Sequence, residues 1–194
     1  MTKVPSDLRR AVKFHGHLCP GLVIGYRAAK VALERLGAGR AQDEELIAIV
    51  ENDSCAADAV QALTGCTFGK GNFFFRDWGK HVYTLAVRPS GRAVRVSLRA
   101  DARRRRAGAS RDAAIRRRQG YGGQVRRLLD APVEELFAVT EPRIRLPHPA
   151  RIHDSVVCSR CGEPAMSTRI RRRAGKPVCL GCLRASKRRR RLGA

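Results

Sequence analysis

The sequence lacks any long hydrophobic run. None of its 194 residues belongs to an uninterrupted apolar stretch of about 18, the length that a membrane-spanning helix needs. Its beginning, MTKVPSDLRRAVKF, also lacks the apolar centre of a secretory signal. These absences predict a cytoplasmic protein with no membrane span. Aromatic residues are scarce, at 5%, but 43% of the residues are hydrophobic, which is enough for one globular core and a small appended module.

Acidic residues are few beside the basic ones: 17 Asp and Glu against 40 Lys and Arg leave a net charge of +23. Residues 101–130 contribute +7 of this excess and residues 169–194 contribute +11. Two interpretations stay open for these Arg-rich segments, a solvated surface or an unspecific polyanion or membrane-surface patch. Because residues 169–194 contain no aromatic side chain, base stacking is excluded there, and any polyanion binding would weaken with salt.

The seven cysteines do not suit a disulfide framework, because their number is odd and no secretory signal is present. Four of them form two C-x-x-C units, CSRC and CLGC, separated by 17 residues. This spacing is typical of a closed, tetrahedral structural zinc site, here with ligands Cys158, Cys161, Cys179 and Cys182. The segment is too small for its own hydrophobic core, so we expect zinc to stabilise it. A short strand should enter the second unit and a helix should leave it.

The hydrophobic pattern of the remaining chain predicts an α+β domain, with helices packed on a mixed or antiparallel sheet. Apolar residues at helical spacing predict a helix after Cys19, with Pro20 in its first turn and a stop at Gly37 or Gly39. The run ELIAIVEN predicts a buried strand, and Asp53 or Ser54 is a suitable N-cap for the helix that follows it. Alternation on both sides of PSG predicts a β-hairpin, and APVEELFAVTEP predicts a short helix running into a strand.

These patterns divide the chain into three parts. Residues 1–100 and 131–150 form the α+β domain. Residues 101–130 are polar and rich in Arg and Gly, which predicts an excursion or linker. Residues 151–194 form the zinc module with its basic tail.

The segment HGHLCPG places two histidines and one cysteine within five positions. In an extended segment, alternate side chains share one side, so His15, His17 and Cys19 would face a single ion. Cys19 precedes one predicted helix and Cys55 begins another, where the helix dipole lowers the pKa of a thiol. Three interpretations stay open: a mixed His/Cys site for zinc, nickel or iron; a thiol-dependent enzyme using Cys19 or Cys55; or a His-bearing loop with buried structural cysteines.

The loop TGCTFGKGNFFFRDWGK is rich in glycine, and Lys70 within it offers a cation to an anionic group. Its pattern is not that of a phosphate-binding Walker loop. A loop over the substrate and a structural turn beside a strand formed by NFFF are equally compatible with this sequence.

Three motifs together resemble the FmdE family, named after a component of formylmethanofuran dehydrogenase: FHGHLCPGLVIGYRAA, VENDSCAADAVQALTGCTFGKGNFFFRDWGK and the terminal CSRCGEPAM…GKPVCLGC. The similarity is collinear over roughly residues 10–100 and 132–183. The family's named enzyme reduces carbon dioxide onto methanofuran, with its chemistry on molybdenum or tungsten and iron–sulfur subunits. The resemblance therefore implies a metal-binding protein, accessory or stand-alone, in one-carbon or pterin-type metabolism. Whether it is itself an enzyme stays open.

The resemblance also implies a homodimer, possession of a structural zinc, membership of a larger oxidoreductase complex, and a cleft that holds metal or substrate. His17, Cys19 and Cys55 would be the ligands of a second metal ion in this cleft. The residues implied to line or support it are His15, Asn52, Asp53, Cys66, Lys70, Asn72 and Lys80. A zinc-ribbon module that binds nucleic acid or protein through the basic tail is the remaining alternative.

Overall fold

The computed structural model describes residues 5–101 and 122–185. The chain divides into two compact units, Met1–Ala150 and Arg151–Ala194.

The first unit is built on a five-stranded mixed sheet of order β2-β1-β3-β4-β5. Strands β1 and β2 are parallel, and the other neighbours are antiparallel. The hairpin predicted around PSG is confirmed as β3 and β4, and the predicted helix–strand unit ends in β5 at the sheet edge. The strands are β1 Leu46–Val50, β2 Phe73–Phe75, β3 Val82–Val87, β4 Ala93–Leu98 and β5 Phe137–Thr140.

Helices pack on one face of this sheet, which confirms the α+β class. They are α1 Ser6–His15, α2 Pro20–Leu36, α3 Cys55–Thr64, α4 Gly122–Asp130 and α5 Val133–Leu136. The predicted helix after Cys19 is confirmed, and it ends where Gly37 adopts a left-handed φ of 62°. Of the two suggested caps for α3, the structure uses Ser54, whose side chain accepts from the Ala56 N–H.

Helix α4 is part of the same core, because its Val125 and Leu128 are buried in the main cluster. The guanidinium of Arg27 on α2 also donates to three backbone carbonyls at and beyond the end of α4. Residues 101–130 were predicted to be an excursion or linker, but residues 122–130 form a helix that is part of the domain. Residues 102–121 of that segment lie outside the described residues.

Strand β1 is buried on both faces, as its continuous apolar run predicts. Leu46, Ala48 and Val50 belong to the core beneath the helices. Ile47 and Ile49 belong to a second, smaller cluster on the opposite face, against which Phe74, Ile144 and Leu146 pack. The chain after β5 therefore covers part of the sheet face that carries no helix.

Two glycines allow α2 and α3 to approach each other closely. A Cβ atom at Gly25 would lie 2.2 Å from the backbone oxygen of Ala56, so no larger residue fits without movement. A Cβ atom at Gly21, one turn earlier, would lie 3.2 Å from the Cβ of Cys55. This close packing brings the N-terminal ends of the two helices, with Cys19 and Cys55, together.

The second unit consists of two short hairpins and a final helical segment. Strand β6 (Ser155–Val157) pairs with β7 (Pro164–Met166), and β8 (Ile170–Arg173) pairs with β9 (Lys176–Cys179). A 3-10 turn, Ser167–Arg169, connects the hairpins. Residues 180–185 are helical, so the second C-x-x-C unit has the predicted strand before it and the predicted helix after it.

No helix within residues 5–101 or 122–185 combines the length and the apolar character needed to cross a bilayer.

Candidate metal centre

The backbone around His15 differs from the extended segment that the sequence suggests. His15 is the last residue of α1, and Gly16 ends that helix with a φ of 96°, a left-handed conformation that glycine adopts without strain. Sequence analysis missed α1, although Leu8, Ala11 and Val12 are apolar at helical spacing, and the helix buries Leu8 and Ala11. The turn at Gly16 nevertheless brings the rings of His15 and His17 to a centroid distance of 4.5 Å.

Three side chains form the His/Cys group, defined here as His15, His17 and Cys19. One ligand atom from each lies within 4.8 Å of the other two. Cys19 Sγ is 4.0 Å from His15 Nε2. Metal–ligand bonds of about 2.0–2.3 Å place two ligand atoms at most about 4.6 Å apart, so small side-chain rotations would suffice for a shared ion. The group thus fits a metal in both donor type and spacing.

Asp58 orients the His15 ring. Its Oδ2 lies 2.7 Å from His15 Nδ1, and the His15 side chain is only 12% exposed. This contact occupies one ring nitrogen and leaves Nε2 for the side that faces Cys19. A carboxylate behind a histidine is the usual arrangement around protein metal ions, because it fixes the tautomer and raises the basicity of the ligand.

Sequence analysis missed Asp58, although a signal was present. It follows Cys55 by three positions in α3, and residues three apart lie on the same face of a helix.

Cys55 adjoins the group through Cys19. The Cβ position of Gly21 lies 3.7 Å from Cys55 Sγ and 3.9 Å from Cys19 Sγ, so both thiols border one small space. Cys55 is the first residue of α3, yet its pKa is raised, first by burial and then by its hydrogen bond with the Cys19 thiol. This corrects the expectation of a lowered pKa for Cys55, because burial and the Cys19 thiol outweigh the backbone hydrogen bond that lowers it.

Asn52 and Asp53 lie in the turn that joins β1 to α3. The Asn52 amide donates to the Lys80 carbonyl at 2.6 Å, and its oxygen accepts from the backbone and the hydroxyl of Ser54. Asp53 is exposed beside it. Asn52 therefore holds the start of α3, and with it Cys55, in place.

Cys66, Lys70 and Asn72 lie beyond the opposite end of α3, a helix of ten residues and so about 15 Å long. Cys66 donates to the Leu46 carbonyl, and burial raises the pKa of its thiol to about 11. The Lys70 ammonium and the Asn72 amide both donate to backbone carbonyls at the approach to β1 and its start. The structure does not bring these three residues to the His/Cys group, and their contacts are those of a structural turn.

Lys80 also lies away from the His/Cys group. Its ammonium is 5.5 Å from the centre of the Trp78 ring, and both side chains line a cavity together with Ile49, on the sheet face without helices.

The four terminal cysteines form a second cluster, in which the sulfur atoms lie within 4.8 Å of one another. Cys161 Sγ and Cys179 Sγ are 4.0 Å apart. Backbone N–H groups, first that of Cys179 and then those of Cys161 and Arg160, lower the pKa of Cys158 to about 6. Hydrogen bonds with neighbouring thiols raise the pKa values of Cys161 and Cys182, so one thiol of the cluster ionises readily and the next ones less so. Zinc binds cysteine as thiolate and compensates the charge of several such ligands.

Two family models match this chain. The family model FmdE, described as molybdenum formylmethanofuran dehydrogenase operon, matches residues 14–138, which contain the whole His/Cys group, Cys55 and Asp58. The chain belongs to the FmdE family. A second model, the prokaryotic dksA/traR C4-type zinc finger, matches residues 153–188. The resemblance to FmdE proteins and the predicted four-cysteine zinc finger are thus confirmed, and the finger indicates a structural zinc.

Two individual proteins extend this comparison. A probable S-adenosyl-L-methionine-binding protein of Archaeoglobus fulgidus is 34% identical over 205 residues, covering 93% of this chain. The chain spans only 53% of the length of that relative. The crystal structure of a tungsten formylmethanofuran dehydrogenase FmdE-like protein from Syntrophus aciditrophicus superposes with a TM-score of 0.64 at 23% identity, covering 92% of this chain and 91% of the other. At this identity the likeness establishes the shared fold.

Proposed function

We propose that this FmdE-family protein holds a second metal ion between His15, His17 and Cys19, with Cys55 as an adjacent thiol, and that this site serves one-carbon or pterin-type metabolism. One observation carries the metal site: three ligand atoms lie within 4.8 Å while Asp58 holds His15 by a 2.7 Å contact. A histidine loop with only structural cysteines would not need this orientation of the ring.

The ligand set suits zinc best, and nickel or iron also accept imidazole and thiolate. Three protein ligands would leave a coordination position for a substrate, and the bound ion would supply Lewis-acid chemistry there. The residues around it have separate tasks. Asp58 fixes His15, the Leu22 N–H donates to Cys19 Sγ at 3.4 Å, and Asn52 anchors the helix start that presents Cys55.

The metabolic part of the proposal rests on the family description, which refers to a formylmethanofuran dehydrogenase operon. The proposal allows two forms of the protein, an accessory subunit of a larger oxidoreductase complex and a stand-alone homodimer, and places both in the cytoplasm. The raised pKa of Cys55 disfavours the alternative of a thiolate nucleophile at that residue. Unspecific polyanion binding by the Arg-rich segments stays a prediction, with an affinity that falls steeply as salt rises.

Metal analysis of the full chain tests the site. After anaerobic reconstitution with zinc, nickel or iron, we expect two metal ions per wild-type chain. The double variant His17→Ala/Cys19→Ala should retain one, the ion of the zinc finger. The variant Cys66→Ala is a matched control, because it removes a buried cysteine beyond the far end of α3 and should retain both ions. A wild-type protein that never exceeds one metal per chain would refute the second site.

A further inference from the structure

The sheet face without helices carries a cavity of about 400 Å³. Residues from five parts of the chain line it: the end of β1 with Glu51 after it, the segment between β2 and β3, strand β3, strand β4, and the chain after β5. None of the lining residues belongs to the His/Cys group, which lies on the helical side of the sheet. The charged and aromatic members are Glu51, Arg76, Trp78, Lys80, Arg95 and Arg145.

Glu51 is the unusual member of this lining. Only 4% of the residue is exposed, because it directly follows the buried strand β1. Its Oε1 lies 3.7 Å from the Arg95 guanidinium. Its Oε2 is buried and has no hydrogen-bond partner among residues 5–101 and 122–185. A buried acceptor without a donor is unfavourable, and Glu51 lines the cavity, so a rotation of its side chain towards the cavity would let a ligand supply the donor.

The rest of the cavity favours a negative charge. Three guanidinium groups and one ammonium group line it beside a single carboxylate, and they come from three parts of the chain: the segment between β2 and β3, strand β4, and the chain after β5. Arg76 and Lys80 lie 5.3 Å and 5.5 Å from the centre of the Trp78 ring. A cavity whose charges have one predominant sign concentrates the field and attracts small ions of the opposite sign.

We propose that this cavity binds a small oxyanion that carries its own hydrogen-bond donor, namely a protonated phosphate. Its unprotonated oxygens would accept from the arginines and Lys80, since planar guanidinium groups match phosphate geometry. Its P–OH group would donate to Glu51 Oε2. Sulfate has the same shape but no proton near neutral pH, so the free acceptor on Glu51 would repel it. Inorganic phosphate and the monoanion of a phosphate monoester share this chemistry.

Trp78 provides a direct measurement, because it is the only tryptophan of the chain and it lines the cavity. An anion that draws Arg76 and Lys80 from the ring will alter its fluorescence. The full-length protein is titrated with inorganic phosphate, with methyl phosphate and with sulfate at constant ionic strength. We expect a saturable fluorescence change with inorganic phosphate at pH 7. The affinity for sulfate should be lower than that for phosphate by a factor of at least about ten. Methyl phosphate should bind more tightly at pH 5.5 than at pH 7.5, because its second pKa is about 6 and only its monoanion carries a P–OH donor. If inorganic phosphate binds and methyl phosphate does not, the site is assigned to the free ion.

Two variants separate a binding role from a structural one. Glu51→Gln should bring the affinities for phosphate and sulfate within about threefold of each other, because the amide can donate to sulfate. Arg145→Met should weaken phosphate binding by about tenfold, and because Arg145 is exposed, this variant should fold even if Glu51→Gln does not. Arg10→Met, at an exposed position on α1, is the control and should bind like wild type. Equal affinity of the wild type for phosphate and sulfate, or no effect of Arg145→Met, would overturn the proposal.

Discussion

The carboxylate of Asp58 and the imidazole of His15 meet at 2.7 Å although they are 43 positions apart along the chain. The contact joins the last residue of α1 to the first turn of α3. It decides which ring nitrogen of His15 faces Cys19, and so it makes a short histidine motif into an ordered set of ligands. Its removal should therefore affect metal affinity more than folding.

Substituting Asp58 tests this relationship. We expect Asp58→Asn to lower the affinity of the second metal ion by about 10–100-fold, the usual effect of losing a carboxylate behind a histidine ligand. Titration with Co²⁺, followed by its thiolate absorption and by competition with a chelator, measures this affinity. Asp53→Asn is the matched control, because Asp53 is exposed in the turn before α3. Equal loss of affinity in both variants would point to a general charge effect.

The contact between α2 and α3 makes a second prediction. Gly25→Ala should lower the free energy of unfolding by about 1–3 kcal/mol or more, because its Cβ would lie 2.2 Å from a backbone oxygen that cannot rotate away. Urea denaturation of the full chain measures the change. Gly39→Ala adds the same methyl group where no atom lies within 4 Å, so it should leave stability nearly unchanged. Similar stability of the two variants would contradict the close packing.

The zinc finger makes a third prediction. Cys161→Ser should remove one zinc equivalent and unfold the second unit, because between residues 151 and 185 only Cys158 and Val178 are buried. Helices α1 to α3 should stay protected from hydrogen exchange. Zinc content together with exchange on the intact chain measures both effects. Retention of all bound zinc in this variant would exclude Cys161 as a ligand.

Cys66 should make stability depend on pH in the alkaline range. Burial raises the pKa of its thiol to about 11, above the value of about 8.5 expected in an unfolded chain. The neutral thiol therefore stabilises the folded state fully below about pH 8.5, and this contribution is lost as pH rises towards 11. Relative to Cys66→Ala, the wild type should lose up to about 3 kcal/mol of unfolding free energy over that range. Denaturation curves of both proteins at several pH values measure the difference, and parallel profiles would show that Cys66 does not titrate with folding.

The sequence by itself determined the features that depend on neighbouring residues. The period of the apolar residues predicted α2, the continuous run LIAIV predicted a strand buried on both faces, and alternation around PSG predicted the hairpin. The two C-x-x-C units predicted the zinc finger, because four thiolates at that spacing have few other uses. All of these signals lie within one element or one turn.

Only the tertiary structure decided which side chains share a site. It placed His15 on a helix and Asp58 behind it, and it placed Cys66, Lys70 and Asn72 beyond the far end of α3. It also brought Glu51, Arg95 and Arg145 to one cavity from three separate segments. The physical reason is that hydrophobic burial is not directional: it drives helices and strands together, but the distances between polar groups follow from how those elements finally pack. Gly25 shows the dependence most clearly, since its missing side chain has meaning only beside the backbone of Ala56.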